Sequence, residues 1–101
     1  MLIYAGQPGV HLPFTYTGMQ SRPGDSPVLI VQGPQDAIAR ELVATFGDDG
    51  RLYRVTTVSD FPVGGPYRVW FRFDNSQGQP PMFSAGGSFI VTTLPRSIPA
   101  P

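Results

Sequence analysis

The chain has 101 residues, no net formal charge and no cysteine, and glycine and proline contribute 12 residues each. Because glycine and proline cost about 1 and 3 kcal/mol in a helix interior, this composition disfavours a helix bundle and favours short strands joined by turns. The balanced charge gives no long-range field to attract DNA or RNA, and the lack of cysteine excludes disulfides and thiolate metal sites.

The first segment, residues 1–27, is predicted to be an extended N-terminal arm. Proline and glycine recur too often in it for a continuous strand or helix, yet it carries apolar side chains that a disordered linker would lack. Two alternatives follow: the arm lies on a neighbouring subunit, or it wraps its own core and supplies an edge strand around residues 13–17. On the first alternative, the predicted interface residues of the arm are Tyr4, Leu12, Phe14 and Tyr16.

Residues 28–94 are predicted to form the folded domain. The domain begins with a continuous apolar run, residues 28–31, which indicates a buried strand. Residues 35–46 are ambiguous, because apolar residues at every fourth position fit a helix while alternate ones fit a strand; we favour a strand over residues 40–46. A Gly/Asp loop and a segment rich in β-branched residues then predict a hairpin.

The clearest predicted strand covers residues 67–73, where apolar and long polar side chains alternate with a period of two. The face opposite the core then carries Arg68, Trp70 and Arg72. Because Arg and Trp are enriched at interface hot spots, these three residues are the predicted docking face for a protein subunit or a glycan. The alternative is a second packed face, covered by the N-terminal arm.

The last part of the domain is predicted to be a turn followed by one or two strands. Residues 74–81 have the composition of a turn, and Phe83 and residues 88–94 return as strand, with a bulge or bend at Gly86-Gly87. Residues 95–101 are proline-rich and form a predicted C-terminal arm. Several short strands with frequent turns predict an all-β, antiparallel β-sandwich.

Residues 65–78 and 89–93 resemble the last two strands of immunoglobulin-like and fibronectin type III-like domains. In that family a tyrosine opens the penultimate strand, and an asparagine and a glycine shape the hairpin after it, as Tyr67, Asn75 and Gly78 do here. The resemblance implies an immunoglobulin-like sandwich in which Tyr67 forms a tyrosine corner.

No residue set predicts catalysis. His11 is the only histidine, and nothing near it resembles the context of a catalytic nucleophile. One histidine without cysteine does not make a zinc site, and the carboxylates lack the spacing of an EF-hand. We therefore expect no enzymatic activity and no catalytic, cofactor-binding or metal-binding residues.

Small sandwiches of this kind with extended arms resemble accessory proteins of tailed-phage virions. This resemblance implies a capsid decoration (cement) protein that clamps neighbouring major capsid subunits, by burying apolar area and by adding strands at edges that no lysine protects. The expected partners are other virion proteins, the major capsid protein above all, and a homo-oligomer is compatible with the sequence. Nucleic acid and membranes are not expected partners.

The expected location is the virion, after synthesis in the host cytoplasm. Residues 1–6 lack the basic and apolar regions of a signal peptide, and no apolar run reaches the roughly 20 residues that span a bilayer. Two other functions fit the sequence. One is a phage tail, baseplate or fibre-adaptor module; the other is a non-catalytic carbohydrate-binding module that stacks sugars on Trp70 together with Tyr67 or Tyr53.

Overall fold

The computed structural model describes residues 3–16 and 20–93, which contain seven strands and no helix. The strands form two antiparallel sheets, one with the order β1-β5-β4 and one with the order β3-β2-β6-β7. The prediction of an all-β sandwich is confirmed. The strands are β1 (His11–Phe14), β2 (Asp25–Gln32), β3 (Arg40–Val43), β4 (Thr45–Phe46), β5 (Leu52–Val55), β6 (Gly65–Asn75) and β7 (Met82–Val91).

The core lies between the two sheets and is centred on the inner face of β6. The apolar residues that the sequence pattern assigned to this face are all buried. In the register with β2, Phe71 lies opposite Leu29 and Val69 lies opposite Val31. Leu52 of β5 closes the core from the other sheet. The inner residues of β6 are Tyr67, Val69, Phe71 and Phe73.

The ambiguous segment forms no helix, and the strand prediction for residues 40–46 is confirmed. Ile38, which a helix would have placed on its apolar face, is 82% exposed. Ala44 separates β3 from β4, and its N–H donates to the carbonyl of Pro27 over 3.3 Å. The extended chain therefore crosses from the four-stranded to the three-stranded sheet at this residue. The predicted hairpin follows, with β4 and β5 antiparallel.

Residues 3–16 pack on their own domain. Ile3 and Leu12 are each only 3% exposed and belong to the core. β1 pairs with β5 as an edge strand over residues 11–14, close to the residues 13–17 named in the second alternative for the arm. The folded part thus starts well before residue 28, and β2 itself begins at Asp25. Residues 1–2 and 17–19 of the predicted arm, and residues 95–101 of the second, lie outside the described residues.

The predicted irregularity at Gly86-Gly87 is a bulge in β7. Val69 lies opposite Gly87 and Trp70 opposite Ala85, so Gly86 is the extra residue. Gly87 has a φ of 129°, a conformation that favours glycine. A Cβ atom at Gly86 would lie 2.6 Å from Cε2 of Phe71, so only glycine lets β7 approach the core ring this closely.

Tyr67 makes the contact that the family resemblance implied. Its ring is buried, and its hydroxyl donates to the carbonyl oxygen of Val63 over 2.6 Å. The N–H of Val63 donates back to the same hydroxyl over 3.3 Å. This pair of hydrogen bonds ties the loop before β6 to the start of that strand.

Candidate docking face of the four-stranded sheet

The register of the four-stranded sheet places an apolar and cationic set of side chains on the side away from the core. Trp70 lies opposite Ile30 of β2. One row of the sheet, Val43, Val28, Arg72 and Phe83, crosses all four strands. At the spacing of neighbouring strands, this row is about 14 Å wide. We call this side the outer face; its residues include Val28, Ile30, Glu41, Val43, Arg68, Trp70, Arg72, Phe83 and Ile90.

Three apolar side chains of the outer face are largely in solvent. Val43, Phe83 and Ile90 are 74%, 67% and 70% exposed. Single exposed apolar residues are common on protein surfaces. Here, however, they share one face with a half-buried tryptophan, Trp70, and with Arg68, and tryptophan and arginine are enriched at interface hot spots. The outer face is therefore a candidate site for binding another molecule.

The two arginines of the outer face have different electrostatic surroundings. The Nε of Arg72 donates to Oδ1 of Asp74 over 2.8 Å, and its Nη2 also pairs with Glu41. These hydrogen bonds, the one to Asp74 first, raise the pKa of Arg72 above its ordinary value. The Arg72 guanidinium is thus fixed and neutralised within the sheet.

Arg68 is exposed and has no carboxylate partner within residues 3–16 and 20–93. Its guanidinium carbon lies 5.2 Å from the centroid of the Trp70 ring, which is a cation–π contact. Such a contact holds the side chain over the indole while leaving its N–H groups accessible. Arg68 is therefore the cation of the outer face that can pair with an acidic group of a partner.

The sequence-predicted interface residues divide between two sides of the molecule. Arg68, Trp70 and Arg72 come together on the outer face, as the alternation in β6 predicted. Three of the four residues of the N-terminal arm do not join them. Leu12 is buried in the core, the Phe14 ring lies 5.7 Å from that of Phe71, and the Tyr16 ring lies 5.1 Å from that of Phe73.

Tyr4 differs from these three, because it pairs in parallel with Thr92 at the end of β7 while its neighbours Ile3 and Ala5 pack in the core; by alternation Tyr4 is on the side of the sheet that carries Ile90. Leu12, Phe14 and Tyr16 therefore serve their own core, and these three residues do not cover Arg68, Trp70 and Arg72. The second alternative for Arg68, Trp70 and Arg72, a face packed beneath the arm, stays a prediction, because residues 1–2 and 17–19 of the arm lie outside the described residues.

Sequence reasoning did not identify Phe83 and Ile90 as members of the outer face. The alternation in β7 places Ile90 outside once Phe89 and Val91 are assigned to the inside. The bulge at Gly86 then shifts the phase by one residue, so that odd-numbered residues before it and even-numbered residues after it share the outer face. A bulge predicted at Gly86-Gly87 was the signal from which Phe83 could have been found.

Three other kinds of functional feature were considered in the described residues: metal sites, membrane-spanning helices and cavities. Residues 3–16 and 20–93 contain no group of three or more His, Cys, Asp or Glu that could hold a metal ion. No helix in the same part of the chain has the length and apolarity needed to cross a membrane. A shallow cavity of about 210 Å³ lies beside the indole, lined by Arg68, Val69, Trp70, Gly87 and Ser88.

Comparison with known proteins found no matching family model, no matching curated protein and no matching solved structure. What this chain binds therefore has to be inferred from the outer face and the edges of its sheets.

Proposed function

We propose that this protein is a non-catalytic structural module that docks onto a protein assembly through its outer face, and that it acts as a capsid decoration (cement) protein of a virus particle. The observation that carries the proposal is the exposure of Phe83, Ile90 and Val43 on the same sheet face as Trp70 and the unpaired Arg68. Its expected partner is the major capsid protein.

The side chains of the outer face determine which kind of partner surface would bind there. An apolar patch on the partner would cover Phe83 and Ile90, which gains about 25 cal/mol for each Å² of apolar area removed from water. A carboxylate on the partner would pair with Arg68, whose planar guanidinium binds carboxylates in a bidentate manner. Because β6 is held between β2 and β7, the outer face is presented on a rigid surface and little conformational entropy is lost on binding.

The immunoglobulin-like assignment belongs to the same proposal. Its support is the Tyr67–Val63 contact at the start of β6 and the packing of two antiparallel sheets. The step from such a sandwich to a virion accessory protein is an analogy between folds, and folds host many functions, so only a binding experiment can test it.

The test is co-sedimentation of the full chain with a panel of tailed-phage shells assembled without their decoration proteins. We expect the chain to pellet with a shell and to raise the temperature at which that shell melts. The double variant Arg68→Glu/Ile90→Ser should lose both effects. Val58→Ser is the matched control, because Val58 is 63% exposed but lies in the loop after β5 and not on the outer face. Failure to bind any shell, or undiminished binding by the double variant, would contradict the proposal.

A carbohydrate-binding module is the second candidate, favoured by the cavity beside Trp70 and Arg68. Sugars stack on indole rings, and the guanidinium of Arg68 could donate to their hydroxyl groups. Trp70 is the only tryptophan, so its fluorescence reports on this cavity alone. Titration with a broad panel of oligosaccharides should quench or shift the emission if the module binds glycans, and an unchanged spectrum throughout would exclude this candidate.

A further inference from the structure

The charges of the outer face are separated along its strands. Arg68 lies toward one end and has no carboxylate partner within residues 3–16 and 20–93. Toward the other end, Arg72 pairs with both Asp74 and Glu41, and these two carboxylates are each about half exposed. One arginine and two carboxylates leave one negative charge uncompensated there. The outer face therefore carries one free positive and one free negative charge, and it complements a copy of itself turned end for end.

The outward residues of β6 show the same complementarity. In chain order they are Arg68, Trp70, Arg72 and Asp74, and they extend over about 20 Å. When two copies of this strand face each other antiparallel, with a two-fold axis between residues 70 and 72, each Arg68 lies opposite Asp74 and forms an ion pair. Each Trp70 then lies opposite Arg72, whose guanidinium can pack on the indole. The two-fold symmetry makes each contact twice.

The neighbouring strand β2 is complementary about the same axis. Its register with β6 places each of its outward residues at the same distance from the axis as the β6 residue beside it. The axis therefore sets Val28 of one copy opposite Ile30 of the other, which joins two apolar side chains. It also sets Ser26 opposite Gln32, which joins two polar ones. Both central strands of the sheet thus match a second copy in one arrangement.

Other arrangements of the two faces lose this match. Moving one copy along the strands by two residues sets Arg68 opposite Arg72 in one direction and Trp70 opposite Asp74 in the other. A two-fold axis parallel to the strands keeps the row of Arg68 over itself, where its neighbours in the sheet are uncharged. The pattern of charges therefore selects the antiparallel arrangement.

The area of contact is sufficient for a reversible dimer. Four strands at their usual spacing, over the length of residues 68–74 of β6, cover about 500 Å² of each copy. The total of about 1,000 Å² is at the lower end for a specific interface between proteins. The covered area includes Val43 and Phe83, which are exposed in the single copy, so the burial of apolar surface adds to the ion pairs. An interface of this size gives a dimer that exchanges with monomer.

We propose that the outer faces of two copies pack against each other about a two-fold axis perpendicular to the strands, so that β6 lies antiparallel over β6 of the other copy and Arg68 pairs with Asp74 of the other copy. The contact joins the same surface of both copies, so it closes at two subunits. It uses the outer face but does not rest on the proposed function, since it needs no virus shell. A chain bound to a shell would be a monomer, because both contacts cover the same face.

The first experiment measures self-association of the full chain by sedimentation equilibrium at physiological salt, over protein concentrations from roughly 1 µM to 1 mM. Wild type should dimerise. Arg68→Glu should weaken dimerisation at least about a hundredfold, because it turns both ion pairs with Asp74 into repulsions. Arg51→Glu is the matched control. It makes the same change of charge at an exposed arginine between β4 and β5, and it should weaken dimerisation less than about twofold.

The second experiment exchanges charges between two chains. Asp74→Arg alone should also be monomeric, because Arg68 of the other copy would then face an arginine. An equimolar mixture of Arg68→Glu and Asp74→Arg restores attraction at both contacts, so it should form a one-to-one dimer and regain most of the wild-type affinity. In a second mixture Glu41→Arg replaces Asp74→Arg. Rescue there should be at least about tenfold weaker, because Glu41 does not lie opposite Arg68 in the proposed arrangement.

Two further measurements keep these comparisons interpretable. Circular dichroism checks that each variant is folded; if Asp74→Arg is not, the comparison of Arg68→Glu with Arg51→Glu still decides. Trp70 is the only tryptophan, and dimerisation covers its indole. Its emission should therefore shift to shorter wavelength as wild type is concentrated, and it should stay constant for Arg68→Glu.

Three results would overturn the proposal. One is a wild-type chain that stays monomeric at every concentration. Another is equal weakening by Arg68→Glu and Arg51→Glu, since that would be an effect of net charge and not of the outer face. The third is a mixture of folded Arg68→Glu and Asp74→Arg that stays monomeric. None of these results decides the proposed function: a monomer that pellets with shells would support it, whereas a dimer that pellets with none would contradict it.

Discussion

The two faces of the four-stranded sheet differ in how much they contribute to the stability of the fold. On the inner face, Phe71 is fully buried and its ring meets that of Phe14 at 5.7 Å. On the outer face, Phe83 lies opposite Arg72 and is 67% exposed. Both are phenylalanines in the same sheet, yet only Phe71 is held by packing. The comparison indicates that the inner face determines stability, whereas the outer face is available for binding.

The sharpest test of this difference is to truncate one phenylalanine on each face. Phe71→Ala should lower the free energy of unfolding by about 3–5 kcal/mol, because it removes a buried ring and leaves a cavity. Phe83→Ala should change it by less than about 0.5 kcal/mol, as surface substitutions usually do. Urea denaturation followed by Trp70 fluorescence measures both. A similar loss for the two variants would show that the outer face is also part of the folding core.

The sequence was informative where local alternation decides the structure. The period of two in residues 67–73 predicted both faces of β6, and the loop after β4 predicted the hairpin. The position of residues 3–16 was left open between two alternatives, because the bonds that fix it are distant in sequence: Ile3 pairs with Thr92, and Val10 with Thr56. An apolar segment with prolines can be an arm that lies on a neighbouring subunit, and it can equally be an edge strand that packs on the core of its own domain.

The candidate site was predicted in part for a similar reason. Arg68, Trp70 and Arg72 lie on one strand, so their common face follows from spacing alone. Val43, Phe83 and Ile90 reach the same face from other strands, and their placement depends on pairing register and on the bulge at Gly86. The pairing register between strands is a tertiary property, and the spacing of residues within one strand does not determine it.

The buried ion pair of Arg54 with Asp60 contrasts with the exposed pairs of Arg72. Asp60 is 1% exposed and accepts hydrogen bonds from Nε and Nη2 of Arg54, both over 2.9 Å, and from the hydroxyl of Thr57 over 2.8 Å. Asp60→Asn keeps the size of the side chain but leaves the guanidinium without its counter-charge. We expect a loss of about 3 kcal/mol at pH 7, measured by urea denaturation. Asp74→Asn, on the exposed side of the sheet, should cost less than about 1 kcal/mol.

The pH dependence gives this prediction a second readout. Burial raises the pKa of Asp60, but the hydrogen bonds from Arg54 and Thr57 outweigh it and hold that pKa below its ordinary value. Stability from the ionised carboxylate is therefore complete above about pH 4, where the unfolded side chain titrates, and is lost as the pH falls through the lower pKa of the folded state. The difference between wild type and Asp60→Asn should shrink in acid. A difference that stays constant down to pH 2 would contradict the ionised pair.

The smallest predicted effect comes from comparing two tyrosine hydroxyls, that of Tyr67 in the core and that of Tyr53 in the exposed hairpin. Tyr67→Phe keeps the ring contact with Phe61 at 5.1 Å but removes the hydrogen bond to the carbonyl of Val63, leaving partly buried main-chain groups without that partner. The expected loss is about 1–2 kcal/mol. Tyr53→Phe removes a hydroxyl that donates to Asp49 in the exposed hairpin, where water can replace it, so the loss should stay below about 0.5 kcal/mol. Because both substitutions delete one hydroxyl, their difference in chemical denaturation compares the partly buried hydrogen bonds to Val63 with the exposed one to Asp49, and a larger cost at Tyr53 would mean that the hairpin, rather than the start of β6, limits stability.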